Sequence, residues 1–263
     1  MTALPEPLSG PAPREVPLPR APLVRVLAQV RFPPILAIAK AESVAGFQEI
    51  IRSRYPILRE EQTHMVVVGA GSPEVRSEVV WRFSDADNDW RVSLAKDFVA
   101  LETSKYDSRR DFIDRFAVIL SAAEKSFNPQ QVQRIGLRYV DRLTGDALTE
   151  IGRLIRTEVR GIVDSPLGKI ADQLMSDARF SDDDTAFTAR WGKLPTNGTF
   201  DPNILDPIAE PSWILDIDVY ATAARPFVTS DVAALAESFS EKIYRIFRWM
   251  VTDDFLIFYG GKL

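Results

Sequence analysis

Alternating apolar and polar side chains predict the first strand of this chain. The alternation runs over residues 23–32, and Pro33 and Pro34 follow it. A period of two places successive side chains on opposite faces of an extended backbone, as in a half-buried β-strand. Apolar residues then recur at helical spacing over residues 43–55, and Pro56 closes that segment. The pattern therefore predicts a strand followed by a helix.

Four short strands and a long helix are predicted next. The predicted strands cover residues 63–69, 75–83, 90–95 and 97–103, with turn-forming residues between them. Ser108, with Asp111 three residues on, resembles the capping box that begins a helix. An apolar stripe from Phe112 to Phe127 then predicts a long helix that ends before Pro129.

The second half of the chain repeats this plan. The patterns predict a strand at 133–143, a weak helix at 147–160, strands at 170–180, 185–194 and 212–220, and a helix from 230 to about 252. The order β-α-β4-α followed by β-α-β3-α predicts an α+β fold with two similar halves, residues 23–129 and 130–263. We expect each half to be a curved antiparallel sheet crossed by a long helix, with one continuous sheet shared between the halves. Two unrelated α+β lobes are the alternative.

The N-terminal segment differs from the rest. Residues 1–22 contain seven of the 18 prolines. Proline-rich chain favours extended polyproline-like conformations, so the composition predicts a flexible arm. Recognition of this arm by a proline-binding partner is the alternative.

Composition excludes several classes of function. The chain has no cysteine, so it has no disulfide and no cysteine-bound metal. No apolar run is long enough to cross a bilayer and the first residues lack the pattern of a secretory signal, so we expect a cytoplasmic protein. The net charge of −5 opposes binding to a phosphate backbone.

The common catalytic motifs are absent from the sequence. It contains no phosphate-binding loop, dinucleotide fingerprint, nucleophile elbow or zinc-protease motif. His64 is the one histidine, and we expect it to be a structural or surface residue, with a catalytic base as the alternative. Asp85, Asp87 and Asp89 imitate the start of a calcium loop, but Trp90 stands where that loop needs glycine. We therefore predict no catalytic residue, no cofactor and no metal site.

The most informative segment is the strand at 133–143. Alternation places Arg134, Arg138 and Arg142 on one face, where they repel one another unless anions pair with them. Asp216 and Asp218 share one face of the strand at 212–220. One interpretation is a cross-strand ionic ladder between these strands. The other is an anion or polar-ligand site, to which Arg31 of the first strand is added. The candidate ligand-binding residues are Arg31, Arg134, Arg138, Arg142, Asp216 and Asp218.

Several segments together resemble a known family. They are residues 21–24, 29–33, 101–106, 134–142 and 216–220. In this order they resemble a sporadically distributed bacterial family of uncharacterised proteins of about 250 residues. The element order also resembles a duplicated TATA-binding-protein-like fold. The family resemblance implies an accessory role, such as bacterial defence or toxin–antitoxin regulation, and no assigned activity.

These observations favour a non-catalytic binding or regulatory module over an enzyme. Its partner would be a protein or an anionic small molecule that meets the sheet face. A nucleic-acid-binding sheet is one alternative. A metal-assisted enzyme with Asp216 and Asp218 as ligands is another. The apolar segment 255–259 is expected to pack onto its own domain or to join a second copy in a homo-oligomer.

Overall fold

A computed structural model describes residues 8–67, 74–182 and 184–263. For residues 63–67, 74–77 and 182 it describes the backbone but not the side chain, so the predicted role of His64 lies outside the described residues. The strands are β1 Leu23–Arg31, β2 Ile57–Val67, β3 Glu74–Ser84, β4 Trp90–Ala95, β5 Phe98–Thr103, β6 Gln131–Val132, β7 Arg134–Leu143, β8 Leu174–Asp182, β9 Thr185–Leu194, β10 Ser212–Ala221 and β11 Arg225–Pro226. The helices are α1 Ala41–Ile51, α2 Arg109–Phe127, α3 Gly145–Thr149, α4 Ile151–Leu154, α5 Thr157–Arg160, α6 Pro166–Ile170, α7 Thr229–Met250 and α8 Asp253–Phe258, with a 3-10 turn at Leu36–Ala39.

The predicted α+β class is confirmed. Nine of the described strands form a large sheet in the order β2-β3-β4-β5-β1-β7-β10-β9-β8. The β2–β3, β3–β4, β4–β5, β8–β9 and β9–β10 pairs are antiparallel. Strands β6 and β11 form a separate two-stranded pair. Alternation predicted β1 and β9 close to their observed bounds, because buried and less buried side chains alternate along each of them. The strand predicted at 63–69 is wrong in its start, since β2 begins at Ile57, and its residues 68 and 69 lie outside the described residues.

The segment predicted as one helix at 147–160 is largely helical but not continuous. The segment forms three short helices, α3, α4 and α5. Ile155 has extended backbone instead, because it forms an antiparallel bridge with Val251 and its side chain is buried. The predicted strand at 170–180 likewise begins too early, since Pro166 and the cap of Ser165 start a helical turn there. A long-range pairing sets the backbone at Ile155, whereas local capping by Ser165 sets it at the start of α6.

The described chain divides into two compact units. The first unit holds the residues up to Val26, Leu137–Tyr220 and Ser238–Leu263. The second holds Leu27–Gly136 and Ala221–Glu237, so β1, β7 and α7 each contribute residues to both units.

The second unit has an aromatic and aliphatic core beneath α1 and α2. The ring of Phe47 on α1 lies 5.6 Å from that of Phe83 and 5.8 Å from that of Phe127. The predicted start of α2 is confirmed, because the side chain of Ser108 accepts a hydrogen bond from the backbone N–H of Asp111. Burial of the apolar face of α2 then holds the helix on the sheet.

In the first unit, residues 8–22 of the proline-rich arm lie along α7 and α8. The backbone N–H of Val16 donates to the hydroxyl of Tyr244 at 2.9 Å. Arg245 donates to the carbonyl oxygens of Gly10 and Pro11. The guanidinium of Arg20 donates to the carbonyl oxygen of Phe258 at 2.6 Å. These contacts tie the described part of the arm to the C-terminal helices.

The segment 255–259 packs within the first unit. Phe255 and Leu256 are fully buried, and the ring of Phe255 lies 5.4 Å from that of Phe247. Ile257 is exposed. This arrangement agrees with the expectation that the segment packs onto its own domain.

A separate finding concerns membranes. Among the helices of the described residues, none combines the length and the apolar character needed to cross a bilayer.

Candidate functional site

The polar centre of the first unit is an ion pair between β7 and β10. Arg138 donates from Nε to one oxygen of Asp216 at 2.7 Å and from Nη2 to the other at 2.8 Å. The side chains of Arg138 and Asp216 are 13% and 3% exposed. A bidentate guanidinium–carboxylate pair fixes both direction and distance, so it holds the two strands in register. The predicted pairing between these strands is therefore present.

This pair is part of a ladder that crosses four strands. Arg190 on β9 stands directly opposite Asp216 on one side and Asp177 of β8 on the other. Its guanidinium lies 2.9 Å from Asp177 and 3.9 Å from Asp216. The charges therefore alternate as Asp177, Arg190, Asp216 and Arg138. Opposite charges at directly paired positions stabilise a sheet, whereas like charges would destabilise it.

The connection 195–211 lies against this ladder. Its Asp201 carboxylate lies 3.5 Å from Nη1 of Arg138. The ring of Phe200 lies within 5.7 Å of the Arg138 guanidinium and 5.9 Å of the Arg190 guanidinium. Leu205 of the same connection is buried. The connection therefore contributes both a carboxylate and an aromatic face to the ladder.

The pKa of Arg138 reflects these neighbours. Burial alone would lower it, because desolvation disfavours the charged form. The hydrogen bonds to Asp216 and the negative charges of Asp216, Asp218 and Asp201 outweigh burial and raise the pKa above its usual value. Arg138 is therefore a charged, fully engaged member of the ladder.

Arg142 lies four residues after Arg138 on the same face of β7, and its environment is different. Its Nε and Nη2 are buried and have no hydrogen-bond acceptor among the described residues. Burial lowers its pKa, and the charge of Asp206 opposes that effect only in part. The carboxylate of Asp206 is itself 3.6 Å from Arg25 and largely exposed. Arg142 is therefore a half-buried cation with unused donors.

Two other predicted residues belong to the second unit. Arg31 at the end of β1 forms an ion pair with Asp97 at 3.0 Å. Arg134 turns its guanidinium over Gly136, where an added Cβ would lie 2.7 Å from Nη1. Gly136 thus provides the space in which that side chain lies. The structure places Arg138, Asp216 and Asp218 together in the first unit, but Arg31 and Arg134 lie outside that unit.

The arrangement offers little for metal binding in the described part of the chain. No group of three or more His, Cys, Asp or Glu side chains is placed there to hold an ion. Both oxygens of Asp216 accept hydrogen bonds from Arg138. The chemistry available is recognition of an anionic group by guanidinium N–H donors.

Sequence reasoning missed the members of this site that lie in other segments. Arg190 had a usable signal, because alternation in β9 places it on one face with Thr188. Phe200, Asp201 and Asp206 lie in an irregular connection, where no periodicity indicates which side chains face the sheet.

A second buried polar group lies on the opposite face of β7. Asp141 is 8% exposed and forms no hydrogen bond or ion pair with the described residues. Burial raises the pKa of its carboxyl to about 7. Tyr259 is nearby, and burial together with the charge of Asp141 raises the pKa of its phenol. Sequence alternation assigned Asp141 to this face but did not show that the face is enclosed.

Comparison with known proteins adds no assignment. No protein-family model matches the chain, and a search of curated proteins finds no match. The family resemblance inferred from the sequence stays a prediction.

Proposed function

We propose that this protein is a non-catalytic binding module and that Arg142 holds an anionic group of a protein partner or small molecule. The observation that carries the proposal is the pair of buried, unused donors on Arg142. By contrast, Nε and Nη2 of Arg138 both donate hydrogen bonds to Asp216 within the fold. A chain that needed Arg142 only for its architecture would gain stability by pairing or replacing it.

The ladder has a supporting role in this proposal. Asp177, Arg190, Asp216 and Arg138 hold β7 to β10 and fix the backbone on which Arg142 stands. Asp206 pairs with Arg25, and its charge also acts on Arg142. An anionic group that approaches Arg142 would therefore compete with Asp206 for the Arg142 guanidinium. Binding therefore requires a ligand that pairs with the guanidinium better than the exposed Asp206 does.

The experiment compares Arg142→Met with the wild type in urea unfolding, with and without sodium phosphate. We expect the unliganded variant to be more stable by about 1 kcal/mol, because an unsatisfied, half-buried donor is removed. We also expect phosphate to stabilise it less than it stabilises the wild type. Arg59→Met, an exposed arginine with the same charge change, is the matched control and should behave like the wild type in both respects.

A destabilised Arg142→Met protein that phosphate stabilises as strongly as the wild type would overturn the proposal. Arg142 would then serve the architecture alone. The same unfolding experiment, repeated with short acidic peptides in place of phosphate, tests whether the ligand is a protein partner.

The prediction of two similar halves depends on the order of the helices and strands. The succession of elements supports the proposal of two similar halves, residues 23–129 and 130–263, in a TATA-binding-protein-like arrangement. A cytoplasmic location, an accessory role in bacterial defence or toxin–antitoxin regulation, and a homo-oligomer formed through segment 255–259 also stay predictions. The exposed Ile257 is the residue through which such an oligomer would form.

A further inference from the structure

An open cavity of about 400 Å³ lies at the surface of the first unit, and no residue of the ladder lines it. Three pieces of chain form its walls: α4 and α5 with the residues between them, the end of α7, and the start of α8. Its lining residues are Gly152, Ile155, Arg156, Thr157, Glu158, Arg248, Val251, Thr252 and Asp253. This volume lies within the range of small-molecule sites in proteins.

Backbone hydrogen bonds hold the walls together. Ile155 pairs with Val251, and the N–H of Arg156 donates to the carbonyl of Met250 at 3.0 Å. The N–H of Thr252 donates to the carbonyl of Leu154 at 3.0 Å, and its hydroxyl lies 2.8 Å from the carbonyl oxygen of Arg153, to which it donates. A cavity between segments that are tied in this way is preformed, which lowers the entropic cost of binding.

Arg248 is the central charged residue of the cavity. Its side chain is 18% exposed, and Nη2 lies 3.1 Å from the carboxylate of Asp253. Its Nε and Nη1 are buried and have no acceptor among the described residues. These two nitrogens carry three N–H groups, and a guanidinium cannot remove the mismatch by losing its proton. Arg248 therefore lines the cavity with a guanidinium of which two nitrogens are covered and have no acceptor among the described residues.

The other charges define the kind of ligand. Arg156 is exposed at the rim and forms no ion pair with the described residues, while Glu158 is an exposed carboxylate on the same short helix. Arg160 behind the wall is engaged by Asp164 at 2.9 Å. The lining holds two arginines and two carboxylates, and Asp253 occupies only Nη2 of Arg248. A single anionic group can pair with the remaining guanidinium donors, since a guanidinium binds carboxylate or phosphate oxygens through several N–H groups.

We infer that this cavity binds a small ligand through one carboxylate or phosphate group, held by Arg248 and Arg156. In the bound form Arg248 turns its covered nitrogens toward the anion and keeps Nη2 on Asp253. The site is independent of Arg142 and of the function proposed for the sheet face.

The test is calorimetric titration of the full chain with sodium phosphate and, separately, with sodium acetate. It is carried out in Arg142→Met protein so that the sheet-face site does not contribute. We expect saturable binding of at least one of the two probes, and the one that binds identifies the anionic group. Arg248→Gln should weaken this binding by at least about tenfold, and Arg156→Gln by a smaller factor. Arg179→Gln, an exposed arginine on β8, should leave it unchanged.

Two results would overturn the inference. The first is no saturable binding of either probe at millimolar concentrations. The second is an affinity for the probe that stays the same in both the Arg156→Gln and the Arg248→Gln variants as in the protein with both arginines present. If Arg248→Gln does not fold, Arg156→Gln decides alone, because its exposed side chain is not needed for folding. The side-chain Nε–H signal of Arg248 gives a second readout, since it should shift on titration only if the anion reaches it.

Discussion

Replacement of Asp141 by asparagine should stabilise this protein at alkaline pH and have little effect at acidic pH. The carboxyl is buried on β7, has no hydrogen bond or ion pair with the described residues, and has its pKa raised to about 7 by burial. Burial is the one cause of this shift. The charges of Asp141 and Arg20 both act on the neighbouring phenol of Tyr259. Asparagine has nearly the same shape and carries no charge.

The magnitude follows from the two states of the carboxyl. In the unfolded chain the group titrates near 3.8, so the pKa differs by about 3 units between the states. Between pH 4 and 7 the folded protein keeps a proton that the unfolded chain has lost, and stability falls by about 1.4 kcal/mol per pH unit. Above pH 7 both states are ionised and the loss is constant, at about 4 kcal/mol in total.

The assay is thermal unfolding of the wild type and Asp141→Asn from pH 4 to 9. We expect the two melting temperatures to agree near pH 4 and to separate by roughly 10 °C at pH 8, since 1 kcal/mol corresponds to about 2–4 °C in a chain of this size. Asp87→Asn, an exposed residue of a hairpin turn, is the control and should give a small difference that does not change with pH. A constant difference for Asp141→Asn across the range would refute the reasoning.

Three further substitutions test the architecture. Arg138→Met or Asp216→Leu alone should cost about 3–5 kcal/mol in urea unfolding because each leaves a buried charge unpaired, whereas the double variant should cost much less; additive costs would show that the pair is not coupled. Ser108→Ala should lower stability by about 1 kcal/mol through loss of the cap of α2, and an unchanged urea midpoint would contradict that role. Gly192→Ala should disrupt the β8–β9 pairing, because a Cβ there would overlap the carbonyl oxygen of Leu174 at a positive φ of 145°; unchanged hydrogen-exchange protection of β8 would count against it.

Much of the secondary structure follows from local patterns. The strands β1, β4, β7, β9 and β10 and the helices α2 and α7 lie close to their predicted bounds. Each has a periodic apolar face, and that periodicity is a property of the neighbouring residues alone. The helix predicted at 147–160 is not continuous because Ile155 pairs with Val251, about a hundred residues away. A contact of that kind leaves no trace in the local pattern.

The sequence predicted the ion pair of the candidate site but not its unpaired arginine. Alternation indicated that Arg138 and Asp216 would share a sheet face, and opposite charges there indicated that they would pair. It did not indicate which arginine would be left without an acceptor, because that depends on where Asp201 and Asp206 of the irregular connection come to lie. Arg142 is distinguished by its surroundings and not by its position in the pattern.

The sequence by itself determined the α+β class, most strand and helix positions, and the faces on which the arginines of β7 lie. Tertiary structure decided which donors stay unused and which carboxyl is enclosed. Arg142 and Arg248 each have two covered nitrogens without an acceptor among the described residues. Asp141 is unusual because its carboxyl is buried. Burial and pairing depend on segments far apart in the chain, so local periodicity carries no information about them.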